Sequence, residues 1–327
     1  MSVDAVPVAV IVVSWNSAGF LPGCLESLNG LERPPAEVVV VDSGSTDGSV
    51  DLVRSRHPEV ELIDCGENVG FCRGNNIGIS ATSSPFVLVL NPDTLLEPEF
   101  LERLLPAFEN SRVGMAAGKL LRFDRETLDS AGQLLSRSRR PRDRGYGEPD
   151  RGRFDRDDEV FGVCGAAALY RREMLDSIVD PGEQFFDEAF FAFGEDLDLA
   201  WRAQRMGWSA VYRHAAVGYH ARGGSSGNGP AWTRRRGALF GRSAVIRYHV
   251  LKNRYLTILR NDTVAGYLAN LPFVLGRDLA LLGLVLTTSP GVLGRLWRER
   301  SVFRGALKKR RLDAARGEHQ FEGGESA

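Results

Sequence analysis

The first hundred residues alternate between short apolar runs and helical patterns, and this alternation constrains the fold more than any other feature of the chain. The apolar runs predict four strands, at residues 8–13, 37–42, 61–64 and 86–90. The segments after them predict four helices, at residues 21–28, 49–56, 74–81 and 97–110. Strands that alternate with helices favour βαβ units, so the predicted fold class is α/β with a mostly parallel central sheet.

Two acidic sites follow apolar or aromatic segments. Asp93 lies just after the fourth predicted strand, in the turn Asn91-Pro92-Asp93, and a carboxylate at a strand's carboxyl end lies where α/β sheets bind ligands. Mg²⁺ and Mn²⁺ prefer such hard oxygen ligands, together with substrate phosphates. Asp196 opens a helix behind an aromatic segment that would raise its pKa toward values useful to a general base. Helix capping is the alternative interpretation of Asp196.

Three further positions take their meaning from their neighbours. Trp15 ends the first predicted strand and could stack on a nucleobase, whereas alone it would more often be a packing residue. Asp42 ends the second strand and could accept hydrogen bonds from a base or ribose, or simply close a turn. His220 ends a later strand-like run and is a metal-ligand candidate if it meets Asp93 in space. The loop after the first strand lacks G-x-G-x-x-G, which disfavours a nicotinamide oxidoreductase.

Charge is distributed unevenly along the chain. Residues 230–311 carry 17 Lys/Arg against 3 Asp/Glu, while residues 1–229 carry 23 against 35. The basic part is helical in pattern, and its apolar run at 279–289 is too short to span a bilayer. We therefore expect amphipathic helices that either pack on the acidic body or lie in an anionic membrane interface.

The same patterns predict two parts of the chain and a cytoplasmic location. Residues 1–229 form the predicted α/β domain, within which the charged segment 136–159 is expected to be a mobile loop. Residues 230–327 form a basic, mostly helical extension with a polar tail. The four cysteines show no metal-binding or disulfide spacing, and the N-terminus shows no secretory signal. We expect no nucleic-acid partner.

Seven short motifs in fixed order resemble the family 2 glycosyltransferases with the GT-A fold. They cover residues 8–226 almost without interruption and read VSWN, VVDSGSTD, ENVGFCRGNN, LNPDT, GAAALYRR, FDEAFFAFGEDLDLAWRAQRMGW and YHARGGSS. The ENVGFCRGNN and LNPDT motifs are most similar to the rhamnosyltransferase-like subgroup. That resemblance implies action on lipid-linked acceptors in bacterial cell-wall and surface-polysaccharide assembly.

The resemblance assigns donor-binding roles. It implies that Trp15 stacks on the base of a nucleotide-diphospho-sugar and that Asp42 binds the nucleoside. Gly70 and Arg73 fall in the segment beside the nucleotide.

The resemblance also assigns the metal site and the catalytic base. Asp93 matches the metal-binding aspartate of the family's D-x-D turn, in which Asn91 here replaces the first acid, and His220 matches a late metal ligand. The implied cofactor is Mg²⁺ or Mn²⁺, with one fewer negative charge at the metal. Asp196 matches the catalytic base. The implied wall of the acceptor and sugar pocket consists of Gly165, Ala166 and Glu195.

The predicted activity is inverting sugar transfer to a hydroxyl of a glycan or lipid-linked acceptor. The preferred donor is dTDP-rhamnose, which would make the enzyme an L-rhamnosyltransferase. We expect the enzyme in the cytoplasm, in peripheral contact with the inner face of the cell membrane. Two alternatives stay open. One is a galactofuranosyl- or other hexosyltransferase that uses a UDP-sugar on the same scaffold. The other is a non-catalytic nucleotide-binding scaffold protein, which intact Asp93, Asp196 and His220 disfavour.

Overall fold

The computed structural model describes residues 5–222 and 243–323, with side chains placed as far as residue 314. Its strands are β1 (Val6–Ser14), β2 (Pro35–Asp42), β3 (Glu61–Asp64), β4 (Phe86–Leu90), β5 (Thr94–Leu96), β6 (Val113–Leu121), β7 (Leu128–Ser130), β8 (Gln133–Leu135), β9 (Pro141–Asp143), β10 (Asp158–Val160), β11 (Ala167–Arg171) and β12 (Ser209–His220). Its α-helices are α1 (Leu21–Asn29), α2 (Ser49–Arg56), α3 (Gly70–Ser80), α4 (Phe100–Leu104), α5 (Arg172–Ile178), α6 (Glu195–Arg205), α7 (Ala244–Asn261), α8 (Val264–Ala269), α9 (Leu271–Thr288), α10 (Gly291–Arg298) and α11 (Ser301–Gly323).

Half of the large sheet is parallel, in the order β3-β2-β1-β4. The chain moves outward from β1 to β3 and then returns to place β4 on the other side of β1. Ligands bind at the carboxyl ends of strands where the order reverses in this way. The four predicted strands are all present, and β3 and β4 have the predicted bounds. The helix predicted at residues 97–110 is instead α4 followed by a 3₁₀ helix with a proline in its first turn.

The other half of the sheet brings a distant strand end to the same edge. β11 is antiparallel to both β4 and β6, and β12 is parallel to β6. These reversals put the carboxyl end of β12, at His220, beside that of β4. β12 is one strand of 12 residues with a register shift between Arg213 and Val217.

The central strands β1 and β4 are buried on both faces of the sheet, which explains why they are apolar almost throughout. Alternate residues of β1 enter two different cores, since Ile11 packs on one face while Val10 and Val12 pack on the other. In β4 the same alternation separates Val89 from Leu88. Such a strand shows no polar face in its sequence, and its buried position fixes the direction of the polar residues at its end.

The charged segment 136–159, predicted as a loop, contains secondary structure. β9 pairs with β8, and β10 pairs with β12 at the edge of the large sheet. The buried Lys119 of β6 forms ion pairs with Asp150, at 3.0 Å, and with Asp155. Much of the charge therefore lies in contacts within the body. Sequence patterns miss such contacts because the partners are far apart in the chain.

The C-terminal helices divide into two sets. Helices α7 and α11 pack on the body, and each contributes a residue to the larger core, Leu256 and Ala306. The buried Arg260 of α7 forms ion pairs with Asp180 at 2.8 Å and Asp187 at 3.2 Å. Helix α9 is 18 residues long, so the apolar run predicted at 279–289 is only its second half. Within the described residues, α9 is the one helix that is long and apolar enough to cross a membrane.

Candidate active site

The loops that follow β1 and β2 form one hydrogen-bonded platform. The backbone N–H of Asn16 donates to Ser45 Oγ at 2.8 Å, and the N–H of Thr46 donates to Asn16 Oδ1 at 2.8 Å. The N–H of Ala18 adds a bond to Asp47 Oδ2 at 2.9 Å. Trp15 projects beside this platform with 56% of its surface exposed. A large exposed aromatic at a ligand-binding strand end has an open face available for stacking.

Asp42 is buried at the end of β2, and both its carboxylate oxygens accept hydrogen bonds from Ser45. The bonds come from the backbone N–H at 2.8 Å and from the hydroxyl at 2.7 Å. Asp42 therefore does close a turn, which was the alternative interpretation of this residue. Each carboxylate oxygen can accept a further bond, so the turn does not remove the capacity to bind a ligand.

Gly70 begins α3 in a conformation that a side chain would disturb. Its φ is +78°, and a Cβ built on it would approach the Phe191 ring to 2.5 Å. Its backbone N–H donates to Asn68 Oδ1 at 3.0 Å. Gly70 thus permits the nucleotide-side loop to touch the aromatic segment before Asp196. Arg73, one turn later, is exposed and has no hydrogen bond or ion pair within the described residues.

Asp93 and His220 meet, as the strand arrangement requires. Asp93 Oδ1 lies 3.3 Å from His220 Nε2, and both side chains are buried. The other imidazole nitrogen, Nδ1, donates to Asp129 Oδ2 at 2.8 Å. Burial by itself would lower the pKa of His220, but the bonds to Asp129 and Asp93 raise it. Burial by itself would raise the pKa of Asp129, but the hydrogen bonds and charges of His220 and Arg222 lower it to about 2.

The Asp93–His220 pair fits a divalent cation. Asp129 fixes the imidazole ring and holds the proton on Nδ1, which directs Nε2 toward Asp93. One carboxylate oxygen and one imidazole nitrogen leave the remaining coordination places to substrate phosphates, the arrangement Mg²⁺ commonly adopts. No cluster of three or more His, Cys, Asp or Glu side chains suited to a metal exists within the described residues. Asp93 and His220 alone would therefore give a cation an incomplete ligand set.

Asp196 is the second residue of α6, and three groups hold its carboxylate. Oδ2 accepts from Gln133 Nε2 at 2.6 Å and from the Gly165 N–H at 3.4 Å. Oδ1 accepts from the Leu197 N–H at 2.8 Å. Burial and the nearby charge of Asp143 raise the pKa of Asp196 despite these bonds. A fixed carboxylate with a raised pKa has the properties of a general base.

Gly165 and Ala166 connect the two halves of the site. Gly165 donates to Asp196, whereas the Ala166 carbonyl accepts from the Asn91 N–H at 2.9 Å and from Thr94 Oγ1 at 3.3 Å. The turn that carries Asp93 and the helix that carries Asp196 are thus anchored to consecutive residues. Consecutive Cα atoms are about 3.8 Å apart. The predicted wall residues therefore set the spacing between the two carboxylates.

Glu195 has a different environment from its neighbour. Its side chain is buried, and Oε2 has no hydrogen-bond partner within the described residues. Burial, with the added charge of Asp196, raises the pKa of Glu195 to about 8. Burial first, and then the nearby carboxylate of Glu195, raise the pKa of the Cys72 thiol. The structure thus places the Glu195 carboxyl in the interior, although the sequence grouped it with the acceptor pocket.

The aromatic segment before Asp196 is held by a residue from α7. Phe191 and Phe193 have φ values of +67° and +75°, which are unfavourable for residues other than glycine. The side-chain amide of Asn253 donates to the carbonyls of Phe190, Ala192 and Phe193 at 3.1, 2.7 and 2.7 Å. These bonds stabilise the strained backbone. The ring of Phe191 also stacks on His249, with centroids 5.2 Å apart.

Three positioning residues were not identified from the sequence, namely Asp129, Gln133 and Asn253. Asp129 and Gln133 occur in Leu128-Asp-Ser-Ala-Gly-Gln-Leu134, where polar residues interrupt an apolar run. That interruption was the available signal. Asn253 sits inside a helical pattern without such a signal. Its partners lie about 60 residues earlier, so only packing reveals its role.

Comparison with protein-family models shows a match to "Glycosyl transferase family 2" over residues 9–179. Among curated proteins, the chain is 28% identical over 251 residues to an N-acetylglucosaminyl-diphospho-decaprenol L-rhamnosyltransferase of Mycobacterium tuberculosis. That alignment covers 70% of this chain and 80% of the relative. It is also 29% identical to an N-acetylglucosaminyltransferase of Rhizobium meliloti, over 64% of this chain and 50% of the relative.

Solved structures share the fold. The mannosyltransferase PcManGT from Pyrobaculum calidifontis, solved with GDP-Man and Mn²⁺, aligns with a TM-score of 0.53 at 19% identity, over 98% of this chain and 90% of its own. S. aureus TarS aligns with a TM-score of 0.51 at 17% identity, over 78% of this chain and 40% of its own. The predicted GT-A fold, with its C-terminal helical region, is confirmed. The chain belongs to glycosyl transferase family 2 and is a glycosyltransferase.

Proposed function

We propose that the enzyme transfers a sugar, with inversion, from a nucleotide-diphospho-sugar to a hydroxyl of a glycan or lipid-linked acceptor. One observation carries the proposal. The base candidate Asp196 and the Asp93 turn are anchored to the consecutive residues Gly165 and Ala166. A base and a diphosphate site on either side of one sugar are what direct displacement at the anomeric carbon needs.

In this mechanism Asp196 accepts the proton of the acceptor hydroxyl. The acceptor oxygen forms a bond to the anomeric carbon from the face opposite the diphosphate, which inverts the configuration. The bond between that carbon and the diphosphate oxygen breaks, and the nucleoside diphosphate leaves with the electron pair. Gln133 and the Gly165 N–H orient the base throughout. A bound Mg²⁺ or Mn²⁺ would stabilise negative charge on the diphosphate.

The nucleotide is proposed to bind along the strand ends of the parallel half. Trp15 would stack on the base, and Asp42 would accept hydrogen bonds from the nucleoside. Gly70 leaves room beside the nucleotide, and the exposed Arg73 would contact its phosphates or ribose. Asp93 and His220 would hold the cation that the diphosphate shares.

L-Rhamnose from dTDP-rhamnose is the proposed donor sugar. Its support is the similarity to the mycobacterial L-rhamnosyltransferase, which also favours a lipid-linked acceptor and a role in cell-wall or surface-polysaccharide assembly. A galactofuranosyl- or other hexosyltransferase using a UDP-sugar is the second candidate. Stacking on Trp15 and hydrogen bonds to Asp42 would serve either pyrimidine nucleotide, so the donor panel has to separate the two candidates.

A donor panel tests the proposal. Purified full-length enzyme is incubated with dTDP- and UDP-sugars, with acceptor lipid extracts, and with Mn²⁺ or EDTA, and nucleoside-diphosphate release is measured. We expect release that EDTA abolishes, with dTDP-rhamnose as the best donor. A best rate with a UDP-sugar would replace the donor assignment. No release with any donor would favour a nucleotide-binding scaffold.

We also propose peripheral contact with an anionic membrane through α8–α10. Leu279 and Trp297 are 70% and 71% exposed, and Val264 and Leu286 of the same set of helices are exposed as well. Helix α9 nevertheless packs on α7 through Leu281 and Val285, and Asp278 pairs with Arg254 at 2.6 Å. A helix held on one face in this way suits a position in the interface better than one across the bilayer.

Vesicle co-sedimentation tests this contact. We expect full-length protein to bind anionic but not neutral vesicles, and increasing salt to weaken binding. Leu279→Ser with Leu286→Ser should reduce binding, while Phe123→Ser, which changes an exposed apolar residue of the catalytic body, should not. Equal binding by all variants would contradict the assignment. Deletion of the C-terminal region is a poor test because α7 is part of the core.

A further inference from the structure

A cleft of about 320 Å³ lies beside Asp196. Residues on both sides of Asp196 line it, Gly194 and Leu197, and α7 and α9 form the opposite walls. The turn between β8 and β9 closes one end. The same β8 strand carries Gln133, which holds the Asp196 carboxylate. The cleft therefore lies at the start of α6, the helix that carries the candidate base, and none of the donor-side residues Trp15, Asp42 and Asp93 lines it.

Four arginines line this cleft, and two of them have structural partners. Arg139 makes two bonds to the Asp262 carboxylate, at 2.6 and 3.0 Å. Arg254 pairs with Asp278 at 2.6 Å and donates to the Ser138 carbonyl at 2.7 Å. These contacts hold the β8–β9 turn against α7 and α9. They also neutralise the charge of both arginines.

The other two, Arg140 and Arg277, make no ion pair within the part of the chain that the structure describes. Arg277 is half-buried, and its surroundings lower its pKa, first through burial and then through the charges of Arg140 and Arg254, with Asp278 opposing. Two like charges held together at the edge of a partly buried cleft destabilise the empty site. An anion with several oxygens would relieve that repulsion and use the forked donors of both side chains.

The surface next to the cleft is apolar. Leu281 lines the cleft, and the outer face of the same helix exposes Leu275 and Leu279. A ligand with an anionic head and an apolar chain would therefore place its head between the arginines and its chain along α9. We infer that Arg140 and Arg277 bind the diphosphate of a lipid-linked acceptor and so present its sugar hydroxyl to Asp196. This inference rests on the proposed function and assigns the acceptor subsite within it.

The test uses full-length protein and farnesyl diphosphate as the probe, with binding measured by calorimetry. EDTA is present throughout, so that no diphosphate binds through a cation at Asp93 and His220. Farnesol and inorganic pyrophosphate serve as the neutral and the lipid-free probes. We expect farnesyl diphosphate to bind more tightly than either, because only it occupies both the arginines and the apolar face.

Arg140→Ala and Arg277→Ala should each weaken farnesyl diphosphate binding by about ten-fold, and the lysine variants by less. Arg304→Ala, an exposed arginine of α11, removes the same charge outside the cleft and should change nothing. In a separate titration with Mn²⁺, nucleoside-diphosphate affinity should stay at the parental value in all variants. Thermal unfolding confirms that each variant is folded.

Several outcomes would overturn the inference. They are equal farnesyl diphosphate binding by the cleft variants and the parent, pyrophosphate binding as tight as farnesyl diphosphate, and a matching loss of nucleotide affinity. The last two would assign the arginines to a free diphosphate or to the donor. Failure here leaves the proposed function intact if the donor panel still shows metal-dependent release. Absence of that release would refute the proposed function whatever the lipid probe does.

Discussion

The donor side and the acceptor side of the site are built in different ways. On the donor side, Trp15, Asp42 and Asp93 each lie at or just beyond the end of a buried parallel strand, and Ser45, three residues later, holds the Asp42 carboxylate. On the acceptor side, Asp196 depends on Gln133, 63 residues earlier, and its preceding segment depends on Asn253, about 60 residues later. The first side uses the sheet itself, and the second uses contacts between separate segments.

This difference predicts which property of the enzyme a substitution on each side will change. Strand ends in a sheet buried on both faces cannot shift without disturbing the core, so the donor side is rigid. The acceptor side consists of a turn, a strained aromatic segment and C-terminal helices, which can change without altering the sheet. We therefore expect donor-side substitutions to act on nucleotide and metal affinity, and acceptor-side substitutions to act on turnover.

The largest expected effect is that of Asp196→Asn. Removing a general base commonly lowers the rate by about 10²–10⁴-fold, so kcat should fall by that amount while donor affinity stays within a few-fold. Steady-state kinetics and nucleotide titration measure the two quantities. Asp176→Asn, an exposed aspartate of α5, is the matched control. Comparable turnover in both variants would remove Asp196 as the base.

Asp93→Ala should have the next largest effect, on metal-dependent affinity for the nucleoside diphosphate. His220→Ala should act less severely, because Mg²⁺ and Mn²⁺ prefer carboxylate oxygen to imidazole. Asp129→Asn touches no ligand but frees the imidazole that it orients, a change that typically costs about 10–100-fold in metal affinity or activity. Calorimetry with the nucleotide and Mn²⁺ measures all three. Parental affinity in Asp93→Ala and His220→Ala would place the metal elsewhere.

Gln133→Ala should shift the pH dependence of turnover. Only deprotonated Asp196 can accept a proton, so kcat declines as pH falls toward its raised pKa. The bond from Gln133 favours the charged carboxylate, and its loss should move this acid limb to higher pH. A purely structural role for Gln133 would lower kcat equally at all pH values. The pH profile of kcat separates the two.

Asn253→Ala should lower both stability and kcat. One buried and two partly buried carbonyls lose their donor, and an unsatisfied buried group costs about 1–3 kcal/mol, less where water reaches it. The strained segment before Asp196 should then relax, so turnover should fall without a change in nucleotide affinity. Asn270→Ala, which removes side-chain bonds to Gly266 and Arg137 away from the Asp196 segment, is the control. Unchanged kcat in a folded Asn253→Ala variant would contradict the positioning role.

The smallest effect on activity is expected for Glu195→Gln, which should instead alter stability. Its pKa is about 8 in the folded protein, well above that of an unfolded glutamate. Between these values the folded state retains a proton that the unfolded state has released. The free energy of unfolding therefore decreases as pH rises through this window, by at most about 1.4 kcal/mol per pH unit.

Glu195→Gln should remove that dependence, so the variant should gain stability over the parent at pH 8 and differ little at pH 4.5. Asp196 and Asp198 on the same helix, and Cys72 on α3, are the ionisable groups near Glu195. Asp196→Asn therefore serves as the comparison for coupled titration. Calorimetric unfolding at several pH values is the measurement. Parallel stability curves for the variant and the parent would show that the carboxyl is ionised at neutral pH.

The sequence by itself determined the strand–helix alternation, the order of the motifs and therefore the family. These are local properties, because a strand buried on both faces reads as a continuous apolar run and ends where polar residues begin. The residues at those ends, including Asp42 and Asp93, were accordingly singled out from the sequence, and Asp196 was singled out from the aromatic segment and helix start around it. Their spacing along the chain said nothing about which side chains would meet.

Tertiary structure alone decided those meetings. Asp93 lies beside His220 because β11 reverses direction and β12 returns to the same edge, an arrangement that depends on strand pairing between distant segments. The tertiary structure also places the Glu195 side chain in the interior and brings Arg140 and Arg277 to one cleft. Charge patterns in a sequence show how many charged residues a segment has, but not which of them form ion pairs. Whether an arginine is neutralised or available to a ligand depends on which carboxylates the fold places near it.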